Sequence, residues 1–250
     1  MKTAFARPRG YKKIHAIMLS ILLLAAATAA WLGIVNLKDL VIALLPLVTT
    51  FAGATLAFRL NLEREAEKEA DRKRQALNTT LFVLIQQYNA VRQILRDYEA
   101  EASEFERAFN LAANKPPEYS HLKVPISDLV FLLEKSPQLL FELSIEQERF
   151  DQILEAVRIR NGFYVDEVQP AIERTGMLGR FVGLIEAERL LGQRVFGAAI
   201  SQAKTVFVHL NSSKESIPPA VNKLRATAKE HFPETKFVSF TEPPAAPSAA

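Results

Sequence analysis

The chain has 250 residues with 31 basic and 28 acidic side chains, 49% hydrophobic residues and no cysteine. The missing cysteine excludes disulfides, thiol nucleophiles, thiolate zinc sites and iron–sulfur clusters. The net charge is +3, and the basic excess gathers around the apolar N-terminal quarter, as membrane-flanking charge does, so no direct nucleic-acid contact is expected.

Residues 1–13 form a basic N-terminus carrying Lys12 and Lys13. Two apolar stretches follow, Ile14–Trp31 (IHAIMLSILLLAAATAAW) and Leu40–Phe58 (LVIALLPLVTTFAGATLAF), each free of Asp, Glu, Lys and Arg. Each is long enough as a helix to cross a hydrocarbon core of about 30 Å. The expected unit is a transmembrane hairpin over 14–60, with spans of about 14–32 and 40–60. Lys and Arg precede the first span and follow the second, from Arg59 and Arg64 to Arg72, Lys73 and Arg74, whereas the connector holds only Lys38. By the positive-inside rule both termini face the cytoplasm of an inner (plasma) membrane. The basic start, the LSILLL core and Ala27-Thr28-Ala29 also fit a cleaved signal peptide over 1–29, which leaves the C-terminal part on the same side.

Small residues recur on both spans, Ala25, Ala29 and Gly33 on the first and Thr50, Gly53, Ala54 and Ala57 on the second. Such stripes let helices approach closely. They fit packing of the two spans on each other, or an oligomer or pore. Pro46 is expected to bend the second span without implying gating. The absence of ionisable groups within either span argues against a proton relay or ion-coupled transport.

Residues 61–76 read as a charged helical linker with Glu65–Lys68, Glu69–Arg72 and Glu69–Lys73 at pairing distance. The basic residues that flank the spans suit anionic lipid headgroups. From Leu77 the apolar positions alternate four- and three-residue steps through Leu81, Leu84, Tyr88, Val91, Leu95, Tyr98, Ala102, Phe105 and Phe109. This heptad seam predicts one long helix ending at Asn114-Lys115-Pro116-Pro117, packed in an intramolecular bundle in preference to an intermolecular coiled coil. Asn78-Thr79-Thr80 is the one place where it is expected to bend.

Further helices are expected from Ser127 or Asp128, from Ser136-Pro137, and from a capping box at Ser144–Gln147 running to about Arg174 with Phe150, Ile153, Leu154, Val157, Tyr164 and Val168 buried. Another covers about Phe181–Leu210, where Gly192 and Gly197 would allow close contact, and Ser216-Ile-Pro-Pro opens the last, to about His231. Only Phe237–Phe240 alternates like a strand, and 233–250 reads as a disordered Pro/Ala tail. The fold class is therefore all-α, a transmembrane hairpin followed by a cytosolic multi-helix bundle over 77–232.

No catalytic constellation emerges. There is no phosphate loop, no HExxH and no GxSxG. His15, His121, His209 and His231 are scattered, and Glu142, Glu146, Glu148 and Glu155 read as a solvated face. Neither an enzyme nor a cofactor or metal is expected. Arg158, Arg160 and Asn161, midway along an apolar-faced helix, read as intradomain bonds or as an anion or partner contact.

The layout as a whole resembles the two-transmembrane effectors of bacterial anti-phage systems, particularly those encoded beside retrons. The resemblance is one of architecture and assigns no residue a role. It implies a membrane-acting effector restrained or triggered by a cytosolic protein or ribonucleoprotein partner. The alternative is a non-toxic anchor whose bundle recruits a cytosolic or division-site protein.

Overall fold

The computed structural model describes Thr28 and residues 37–113, 118–177, 179–180 and 182–239. Apart from Thr28, the first expected span lies outside the described residues, as do Lys12, Lys13, Ala25, Ala29, Gly33, the Pro-Pro stop and most of the tail. Among the described residues every regular element is a helix and none is a strand, Phe237–Ser239 included. Among the described residues one helix is long and apolar enough to cross a membrane, and the other half of the expected hairpin lies outside them. The chain divides into two compact units, Met1–Lys68 and Glu69–Ala250, with the boundary inside helix α1 (Leu37–Glu99).

In the first unit Pro46 sits inside α1, where it can donate no backbone hydrogen bond. The Thr49 hydroxyl donates to the carbonyls of Leu45 (3.0 Å) and Pro46 (2.9 Å), and the Thr50 hydroxyl to that of Pro46 (2.7 Å). Both hydroxyls are thus satisfied by their own helix and need no outside partner.

The second unit is built on two apolar clusters. The larger joins α1 from Ala76 onward with helix α3 (Pro137–Phe163), the C-terminal half of helix α5 (Leu184–His231) and a 3-10 helix, Ile126–Glu134. Leu77, Leu81, Leu84, Tyr88, Val91, Leu95 and Tyr98 are all buried in it. The seam then departs from expectation. α1 ends at Glu99, Ala102 is exposed, and a separate helix α2 (Glu104–Phe109) begins. Ser103 and Glu106 form a reciprocal capping box: the Ser103 hydroxyl accepts from Glu106 N–H (3.1 Å) and the Glu106 carboxylate from Ser103 N–H (2.8 Å). Those bonds satisfy two free amides at a new helix start. Phe105 and Phe109 consequently pack in the smaller cluster, where Phe109 stacks on Phe196 with ring centroids 5.6 Å apart.

The segment expected to be capped by Ser127 or Asp128 is the 3-10 helix, entered from Pro125 without a side-chain cap. Its three-residue turn places Leu129 and Leu132 on one buried face and leaves Val130 and Leu133 exposed. α3 starts at Pro137 and passes straight through Ser144, whose hydroxyl donates to Phe141 O (2.7 Å), so the expected capping box is absent. It continues through a π-helix, Tyr164–Val168, into α4 (Gln169–Thr175), which Gly176 closes in the left-handed conformation at φ 67°. Phe150, Ile153, Val157 and Val168 are buried, and Leu154 and Tyr164 half-buried.

α5 also corrects its expectation. Ser216-Ile-Pro-Pro starts no helix, and Pro218 and Pro219 lie inside α5. An interior proline costs roughly 3 kcal/mol. Ile217, Val221 and Leu224, each fully buried, offset it at roughly 1.5–3 kcal/mol apiece. The break falls instead at Gly192 (φ 76°, ψ 151°), a conformation open essentially to glycine alone. A Cβ at Gly192 or Gly197 would meet nothing within 4 Å, so neither marks the close helix contact expected of it.

Candidate membrane segment and polar contacts

Between Ile42 and Leu62, α1 exposes large apolar side chains: Ile42, Leu45, Leu47, Val48, Phe51, Leu56, Phe58, Leu60 and Leu62. Nothing in its apolar window is buried. At about 100° per residue, Leu45, Leu47, Val48, Phe51, Leu56, Phe58, Leu60 and Leu62 cover roughly two thirds of the circumference. Pro46, Thr50, Gly53, Ala54 and Ala57 fill the remaining sector, and the last four are exposed. The segment therefore has a broad bulky face and a narrow face of small residues. In water, each bulky side chain forgoes about 1.5–3 kcal/mol of burial.

Basic residues enter in the last turn of the apolar face and continue beyond it. Arg59 and Arg64 are exposed, and further along Arg72 and Arg74 are exposed with Lys73 half-buried. Glu69 takes Lys73 at 2.7 Å, Arg74 pairs with Asp71, and Glu65 accepts from Asn61 at 3.4 Å. The Lys73 ammonium holds the Glu69 carboxyl below its usual range and also lies 5.6 Å from the centre of the Phe131 ring. Such solvent-exposed pairs contribute at most tenths of a kcal/mol.

Asn78-Thr79-Thr80 is not a joint, because α1 runs through it unbroken. The buried Thr80 hydroxyl donates to Ala76 O at 2.8 Å, and the Asn78 amide oxygen accepts from Val238 N–H at 3.2 Å.

The Arg158–Asn161 group divides. Arg158 is exposed and bonds Glu155 (Nε to Oε2, 2.8 Å). Arg160 is 3% exposed and donates to the carbonyls of Arg107 (3.2 Å), Leu111 and Ala112 (3.3 Å) and to Asn161 Oδ1 (3.0 Å). Its guanidinium also lies 4.8 Å from the Tyr164 ring centroid. A guanidinium has five N–H donors, and both terminal nitrogens here serve one carbonyl of the last turn of α2, two carbonyls of the chain just beyond it, and Asn161. Burial pulls its pKa below the ordinary value, yet it remains charged at neutral pH. Arg160 is thus occupied as an internal cap.

Sequence reasoning missed two buried polar sites. Glu146, expected on a solvated face, is 5% exposed, with Arg149 at 2.7 Å on one oxygen and the Ser216 hydroxyl at 2.7 Å on the other. Gln87, fully buried, donates to Leu122 O (2.9 Å) and to Gln147 Oε1 (2.9 Å), which also accepts Val124 N–H at 2.7 Å. Gln147 in turn donates to Asp151 (3.1 Å), which Lys123 meets at 2.6 Å. This chain pins residues 122–124, a connection without regular structure, to α1 and α3. Single polar residues on apolar faces were the available signal, and their spacing alone could not separate burial from exposure.

No protein family matches the chain, and neither a curated protein nor a solved structure matches it.

Proposed function

We propose that this is a membrane-anchored helical interaction protein of a bacterial inner membrane, with the apolar half of α1 in the bilayer and the helical unit in the cytoplasm. One observation carries the reading: α1 exposes a broad face of large apolar side chains from Ile42 to Leu62 with none of its apolar window buried. A bilayer supplies the burial that the protein does not. The self-satisfied Thr49 and Thr50 hydroxyls fit a medium without water, and Arg59 and Arg64 fit a headgroup boundary. The second unit has its own apolar clusters and the size of a partner-binding domain. The full chain should pellet with membranes, resist an alkaline carbonate wash and light up a C-terminal cytoplasmic fluorescent reporter. Release by the wash would overturn the anchor.

The narrow face at Thr50, Gly53, Ala54 and Ala57 favours a second reading, a membrane-acting phage-defence effector that self-associates through this sector. Its overproduction should depolarise cells, and Gly53→Leu or Ala57→Leu should restore the potential. Normal growth and potential on overproduction would leave the anchor alone standing.

A further inference from the structure

We draw no further inference here: the strongest candidate, the cluster of Lys73 and His231 around the half-buried Phe131 ring in the helical unit, carries nothing, because Lys73 is already paired with Glu69 at 2.7 Å and nothing in the structure shows an anion's place between the two.

Discussion

The Ser216 hydroxyl donates to the Glu146 carboxylate at 2.7 Å, joining α5 to α3 at a site where Glu146 is 5% exposed. Arg149, 40% exposed at its side chain, supplies the opposing charge to the other carboxylate oxygen. Removing the hydroxyl leaves a buried carboxylate oxygen without its donor, which costs about 1–3 kcal/mol. Ser216→Ala should therefore lower the unfolding free energy of the helical unit by that amount in urea titrations. Ser216→Thr, which keeps the donor, should lose less.

Arg158 and Arg160 are two residues apart in α3 and should behave oppositely. Arg160→Met abandons three main-chain carbonyls, one in the last turn of α2 and two just beyond it, and should destabilise by about 2–4 kcal/mol. Arg160→Lys should recover only part of this, because an ammonium cannot serve them as a planar fork does. Arg158→Ala removes an exposed pair with Glu155 and should stay within about 0.5 kcal/mol of the parent. Equal losses at both positions in thermal or urea melts would refute the assignment of Arg160 as an internal cap.

Those contrasts bear on what the sequence could reveal. The alternation from Leu77 to Tyr98 was readable because a helix packed along one face repeats its apolar positions every three or four residues, and all seven are buried. The end of α1 was not, since Phe105 and Phe109 keep the phase while the capping box at Ser103 starts a new helix beneath it. Local cap chemistry outweighed periodicity there. At Ser144 and Ser216 the reverse held: each resembles a helix start, yet packing of Leu143 and Phe150 around one and Ser213 and Ile217 around the other carries the helix through. The polar sites were hidden for a related reason. Whether Glu146 faces water depends on α5, some 70 residues away in the chain.

Gly192 and Gly197 test whether the break in α5 is conformational. Gly192 holds φ 76°, ψ 151°, and its missing side chain has open space around it. Gly192→Ala should then cost about 1–3 kcal/mol through backbone strain alone. Gly197 is helical with equal room, so Gly197→Ala should be neutral or stabilise by up to about 1 kcal/mol. Thermal melts of the two variants, moving in opposite directions, would separate strain from packing.

His231 gives the helical unit a pH dependence with a defined sign. Its ring meets Phe131 edge-on at 6.0 Å, near the C-terminal end of α5. Burial first, then Lys135 and Lys73, lower its pKa below the ordinary 6.5, while Glu230 opposes them. The unfolded chain therefore takes up the proton at a higher pH than the folded one. Stability contributed by the neutral ring is complete above pH 6.5 and falls as the pH drops through 6.5 to the depressed folded value. Urea midpoints should decline over that interval, and His231→Phe, which keeps an aromatic ring against Phe131, should remove this part of the decline. A variant that loses stability across the same interval as steeply as the parent would assign the effect to other groups.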